Sequence, residues 1–489
     1  MFTVLYLCIS SLHAAPYRPS SNLSLHLQQV VRNTPHSQIS EYLEAHRWGT
    51  PLLEPVEYVL QKSSDKSTRN AYAGEPNRVE TSNFVIWYGT PDGFSEQNVE
   101  SLSIELEYIW TTLINDMDYP TPENTDAWKF NVYIGDTGSG VPSAEGAAGY
   151  FWYDPENYPM IVLSKDIVSW TDSAKLTGGH EFYHAVQAAI DTYRFNDSAL
   201  WWHEATSNWI LEELYRDEGG YSNTLYSVAL RPEIALNHWG DYATEGIEAD
   251  HHYGASIFGT FISEFRGGPE LIKRSFMEAP INSDPLDVFE TLLQESGDTL
   301  VDAHLEYALR NTTWDYEFEM DYELSVADYN GGGESHRNSG TISGLSDDWH
   351  GPGDWKPHTF GSNSWKLENV PSEFRVEFEG ESGINWRVGI AQQDGTEHRR
   401  WVMPAGVRSW ELTDFDGGDE AWLVIAAVDD NNDDGDTHTY QFKITEPAEE
   451  PKGGCTTASP QTMSSLGLML LAFGIRNRKQ TGTNTNRPH

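Results

Sequence analysis

The stretch Gly178–Gln187, GGHEFYHAVQ, sets two imidazoles four residues apart, with a carboxylate directly after the first. On a helix, positions i and i+4 lie on one face a turn apart, so His180 and His184 can reach the same ion. Zinc takes neutral imidazole nitrogens at about 2.0–2.1 Å in tetrahedral geometry, which suits that separation. Glu181 neighbours the same face and is placed to take a proton from a water on the metal rather than to bind the ion. Two histidines do not make a site, because a third protein ligand and an open fourth position are needed. The stretch ALWWHEATSNWILEELY offers the third. Glu204 falls twenty residues after His184, set among Trp201, Trp202, Ala205, Trp209 and Leu211. A carboxylate among tryptophans is costly unless it is paired or metal-bound.

These side chains need rigid elements behind them. ETSNFVIWYG places Phe84, Ile86 and Tyr88 on one face of a strand, and WKFNVYIGD reads as a second strand. Between them, Gln97 to Asp116 carries Val99, Leu102, Leu106, Ile109 and Leu113 at helical spacing. GYFWYDPENYPMIVLS reads as a hairpin turning at Asp154–Asn157. A helix capped by Asp172 or Ser173 then carries the histidines. Gly178 and Gly179 cost that helix about 1 kcal/mol each against alanine. Either the helix begins after them, or something approaches closely there, such as an edge strand beside a substrate. Helices dominate from Leu200 to Asn311, and the fold class expected is α+β. The Gly-, Ser- and Asp-rich segment 329–358 reads as a linker. Seven strand-like runs follow at regular spacing, from SWKLENV to YQFKITEP, the pattern of an all-β sandwich of jelly-roll or Ig-like type.

HExxH followed about twenty residues later by a glutamate resembles the gluzincin metallopeptidases, the group of thermolysin and the zinc aminopeptidases. The resemblance implies a thermolysin/aminopeptidase-like zinc domain with His180, His184 and Glu204 as ligands, Glu181 as general base, and protein or peptide as substrate. It places Asn208, one turn beyond Glu204, where a polar residue supports a ligand histidine. Thermolysin-like enzymes carry aspartate there, so this imidazole would be a weaker ligand base. It also implies a downstream phenol or imidazole that stabilises the oxyanion. EADHHYGASIFGTF resembles the tyrosine-bearing helix start of the aminopeptidase branch and nominates Tyr253, with His252 behind it; plain packing is the alternative.

The ends of the chain carry a second resemblance. The C-terminus reads GGCTTASPQTMSSLGLMLLAFGIRNRKQ, with Cys455 after two glycines, a short apolar run and then Arg476, Arg478 and Lys479. This resembles the MYXO-CTERM type of sorting tail, which implies processing near Cys455 and retention at the surface of a Gram-negative-type envelope. The apolar N-terminal run ending near Ala14 and Ala15 reads as a signal peptide. The organisation expected is therefore signal peptide 1–15, pro-region or N-terminal subdomain 16–78, zinc metallopeptidase 79–328, linker 329–358, β-sandwich 359–448, and linker plus sorting segment 449–489. As a whole the chain looks most like uncharacterised secreted metalloproteases bearing that tail.

Composition narrows the partners. The 31 basic against 75 acidic residues give a net charge of −44, which repels phosphate and argues against nucleic acid and anionic lipid. The membrane is expected to be met only through the tail. With Cys8 and Cys455 the only cysteines, no disulfide staples the region between them and cysteine catalysis has no support there. Asp430, Asn432 and Asp434 form the first half of a calcium loop, but Gln441 stands where a bidentate glutamate belongs, and a charged hairpin turn is the plainer reading. Zinc is the expected cofactor, with calcium second to it. The alternative function is a non-catalytic, zinc-bearing surface adhesin whose aromatic-rich sandwich binds sugar or protein. Glu181 argues against it, because a purely structural zinc has no use for that base.

Overall fold

A computed structural model of the chain describes residues 66–72, 76–138, 142–144, 146–193, 196–216, 223–240, 245–418, 420–429 and 435–448. The described residues up to Pro447 form one compact unit; of the other unit, Ala448–His489, only Ala448 is described. The chain is a mixed α+β protein with several sheets.

The first sheet has five strands in the order β1-β2-β3-β5-β4. They are β1 Asn77–Glu80, β2 Phe84–Tyr88, β3 Phe130–Gly135, β4 Gly149–Tyr153 and β5 Pro159–Ser164. The three central strands run parallel, and β1 and β4 flank them antiparallel. Strands covered on both faces read as continuous apolar runs, and β2 is buried along its whole length. Phe84, Ile86 and Tyr88 face the helices, while Val85 and Trp87 join Tyr133, Met160 and Val162 on the opposite face.

Part of that opposite face is covered by residues expected to belong to the pro-region or N-terminal subdomain 16–78. Ser67 pairs with Trp128, the Ala71 amide donates to the Tyr133 hydroxyl at 3.1 Å, and Arg69 forms an ion pair with the buried Asp154 of the β4–β5 turn. Residues 66–72 thus pack on the sheet that follows them, and what lies in 16–65 is outside the described residues.

Helix α1, Glu96–Trp110, packs on the other face. Ser95 opens it: its hydroxyl accepts from the Asn98 amide at 3.3 Å, and the Asn98 side chain accepts from the Ser95 amide at 3.0 Å. Helix α2, Thr171–Ile190, carries the histidines. Its N-cap is Trp170, not Asp172 or Ser173. Asp172 lies in the first turn, where its charge favours the helix dipole. The helix does not begin after the two glycines, and what approaches closely there is not an edge strand. They lie well inside α2, and a Cβ on Gly179 would stand 3.0 Å from Leu211 and 3.4 Å from Leu214, with Ile109 at 3.6 Å. The close approach is made by core leucines.

Helix α3, Leu200–Tyr215, follows and packs against α2. Its Trp201, Trp202 and Trp209 are fully buried, Trp202 against Phe258, Phe276 and Phe289 and Trp201 against Phe258. Those rings come from α4 Ser256–Phe265, α5 Pro269–Met277 and α6 Pro285–Gln294. Two turns past Glu204, Glu212 is buried and accepts from the Thr260 and Tyr322 hydroxyls, both at 2.5 Å. Burial raises its carboxyl to about 7, against the pull of those two donors. The folded chain then holds a proton that the unfolded chain releases near 4.5, so this group costs stability as pH rises from about 4.5 to 7. Glu212→Gln is expected to remove that slope, worth roughly 3 kcal/mol at most, as read from thermal midpoints at pH 5 and pH 8.

Helices α7, Leu300–Thr313, and α8, Glu319–Tyr329, lead to two further sheets. Their orders are β11-β10-β13-β8-β6 and β12-β9-β14-β7. All seven runs expected as strands are strands: β8 Gly361–Glu368, β9 Phe374–Gly380, β10 Arg387–Asp394, β11 Glu397–Val402, β12 Ser409–Leu412, β13 Glu420–Ala427 and β14 Tyr440–Thr445. Phe374, Val376, Ile390, Leu423, Ile425, Phe442 and Ile444 from both sheets share one core. The stretch 329–358 is not a free linker. It supplies β6 Gly340–Ser343, parallel to β8, and β7 Ser346–His350, paired with β14. Both are sheet-edge strands and bury almost nothing but Ile342, so their composition resembles a loop. Leu305 and Leu309 of α7 pack on Ala391, Trp422 and Val424 of β10 and β13, joining these sheets to the helices. Among the described residues no helix is long and apolar enough to cross a membrane.

Candidate metal centre

The i, i+4 spacing on α2 and the first turns of α3 bring His180, His184 and Glu204 together, all buried. The two Nε2 atoms are 3.1 Å apart, and Glu204 Oε2 lies 3.1 Å from one and 3.4 Å from the other. A tetrahedral ion with bonds of about 2.0–2.1 Å has ligand–ligand edges of about 3.3 Å. The triangle matches one face of such a tetrahedron, so this group could hold a metal ion.

The remote ring nitrogens are fixed by acceptors. His180 Nδ1 lies 3.0 Å from Asn208 Oδ1. The Asn208 amide nitrogen donates to the Tyr253 carbonyl at 3.3 Å, which settles which end of the carboxamide faces the ring. His184 Nδ1 lies 2.8 Å from Gln187 Oε1, with Ser207 Oγ at 3.2 Å. Gln187 Nε2 donates to the His203 carbonyl at 3.0 Å and to Thr206 Oγ1 at 2.9 Å, so its oxygen must face His184. With Nδ1 held by an acceptor on each ring, Nε2 is the nitrogen each imidazole offers to an ion at the centre.

Asn208 stands where the sequence placed it. Gln187 was missed, although its position three residues after His184 on the same helix face was a usable signal. His203 was missed too: Nδ1 is 3.1 Å from Gln187 Oε1, and burial drives its pKa down to about 3, so it is neutral. Gln187→Ala would take the acceptor from His203 Nδ1 and leave His184 Nδ1 with only the Ser207 hydroxyl. Zinc affinity is expected to fall about 10- to 100-fold, as measured by competition with a chromogenic chelator.

Glu181 is only 2 % exposed. Its carboxylate accepts from the Phe151 amide of edge strand β4, and its Oε2 has no protein hydrogen-bond partner. Burial raises its pKa, while His180 and His184 lower it. Tyr253 lies beside the triad, its ring 6.1 Å from that of His180 and 4.3 Å from that of His252. Asp430, Asn432, Asp434 and Cys455 lie outside the described residues, as do the signal-peptide and sorting-tail segments.

No curated protein matches the chain. A family model does, over residues 52–406. That span starts inside the segment read as pro-region or N-terminal subdomain, takes in both glutamates and both histidines of the site, and ends past β11 in the sheets. With most of its length matched in this way, the chain belongs to DUF6055, a family of unknown function.

Proposed function

We propose that this chain is an exported, surface-held zinc metallopeptidase of the gluzincin type, with a thermolysin- or aminopeptidase-like domain followed by a jelly-roll or Ig-like sandwich. The observation that carries the reading is the 3.1–3.4 Å triangle of Nε2, Nε2 and Oε2 with the unpartnered Glu181 oxygen beside it. Two imidazoles and one carboxylate are a donor set that suits catalytic zinc, whereas structural zinc takes four protein ligands.

His180, His184 and Glu204 would hold the ion. When bound, zinc supplies a Lewis acid and lowers the pKa of a nearby water toward 7. Glu181 takes the proton of the attacking water and passes it to the leaving amine. Burial keeps this carboxylate away from solvent donors, which strengthens it as a base. Strand β4 is at the sheet edge, and its Phe151 amide touches Glu181. An extended peptide can pair along such an edge, which would bring its scissile bond to the base. Tyr253 is the candidate for steadying the oxyanion.

The test is metal analysis of the purified secreted form together with hydrolysis of a mixed peptide library. Bound zinc and chelator-sensitive cleavage support the reading. Bound zinc with no cleavage, even after limited proteolysis, would replace it with the non-catalytic surface binder.

A further inference from the structure

Rings lead outward from the triad to the protein surface. The His180 ring is 6.1 Å from Tyr253, Tyr253 is 4.3 Å from His252, and His252 is 4.3 Å from Trp239. The last pair is stacked, with 23° between the planes. Tyr253 and His252 are buried, yet the Trp239 indole is 42 % exposed. The column carries an aromatic face from a buried centre to solvent.

That indole is held in place. A Cβ on the next residue, Gly240, would lie 2.1 Å from the Ala249 carbonyl oxygen, so only glycine allows the backbone to pass there. The Gly240 amide donates to His252 Nδ1 at 3.3 Å. An Nδ1 that accepts carries no proton, so the imidazole beneath the indole is neutral. A cationic imidazole would already engage the electron-rich π face; a neutral one leaves its attraction for a cation to the exposed side.

The surroundings have the matching sign. Among the described residues of 237–252, Glu245, Glu248 and Asp250 are acidic and none is lysine or arginine; Glu245 lies 3.1 Å from His238 Nε2. Arg231 forms an ion pair with Glu248. The whole chain carries −44, so its field draws cations in. An extended chain advances about 3.3–3.6 Å per residue, which puts Trp239 within about four residues of a peptide bond lying at the triad.

We propose that Trp239 is a specificity platform that receives a lysine or arginine side chain of the peptide substrate, within about four residues of the scissile bond. The identity of this occupant rests on the peptidase reading.

The experiment measures binding, so that it does not depend on turnover. Full-chain, zinc-loaded Glu181→Gln protein is titrated calorimetrically with peptides that carry lysine, norleucine or phenylalanine at each of the four positions on either side of one bond. Lysine is expected to bind about 2- to 30-fold tighter than norleucine at one position. The preference should vanish in a Trp239→Ala form of the same protein and persist, weakened, in Trp239→Phe; unchanged zinc content controls for folding. Norleucine or phenylalanine binding as tightly as lysine overturns the proposal, as does a lysine preference that survives Trp239→Ala or no binding by any peptide. Hydrolysis is scored separately on the unsubstituted protein. Cleavage without a lysine preference removes the platform and keeps the peptidase, whereas a Trp239-dependent preference without cleavage does the reverse.

Discussion

A Glu181→Gln protein is expected to lose peptide hydrolysis by about 10²- to 10⁴-fold in kcat, with zinc content and KM little changed. The amide is nearly isosteric and can still accept from the Phe151 amide, as the carboxylate does. It cannot take a proton. Because proton transfer is needed only on the way to the transition state, the loss falls on kcat rather than on substrate binding. Burial, the largest influence on Glu181, raises its pKa and the two imidazoles oppose that. The base must be ionised to act, so kcat/KM should fall as pH drops through the pKa of Glu181 in the loaded enzyme. Near-normal cleavage by Glu181→Gln would remove Glu181 from the mechanism.

The grouping of His180, His184 and Glu204 was legible because it depends on spacing along two helices. Four residues on α2 and the isolation of Glu204 among tryptophans were enough to assemble the triad, and Asn208 followed one turn later. The acceptor for His184 was not anticipated, because Gln187 looks like any polar helix residue until α3 is laid against α2 and Thr206 turns its amide. The two glycines were misread for a related reason. Sequence shows that small residues stand at 178 and 179, but only the packing of Leu211, Leu214 and Ile109 shows what presses on them. The strands that went unnoticed, β6 and β7, take their order from backbone pairing at sheet edges rather than from burying side chains. Apolar periodicity therefore could not find them. The strap at 66–72 is similar: Arg69 and Tyr72 dock on a sheet face that the sequence could not know was uncovered.

Zinc affinity is expected to weaken by about tenfold for each pH unit below about 9, the proton competing with the ion for the same pair of groups. Burial pulls the His184 pKa down, but the Glu204 carboxylate beside it raises it further, to about 9. Glu204 in turn is held well below its ordinary range, against its own burial, by the two imidazoles. In the metal-free protein at neutral pH, His184 is thus protonated and paired with Glu204, and an incoming ion must displace that proton. The raised imidazole stabilises the metal-free fold fully below about 6.5, and that contribution is lost as pH rises through about 9. Metal-bound protein gains over the same interval, because the ligand competes less with protons. The difference in thermal midpoint between zinc-loaded and chelator-treated protein should therefore widen from pH 6 to pH 9. At zinc 1,000-fold above its dissociation constant the stabilisation reaches about 4 kcal/mol. Glu204→Ala should abolish both effects, since it removes the third ligand and the partner that raises His184. Calorimetric zinc titrations in buffers of different ionisation enthalpy count the released protons directly. A proton release near zero at pH 7, or a Glu204→Ala protein that still binds zinc with the same pH slope, would show that these three side chains do not form the metal centre.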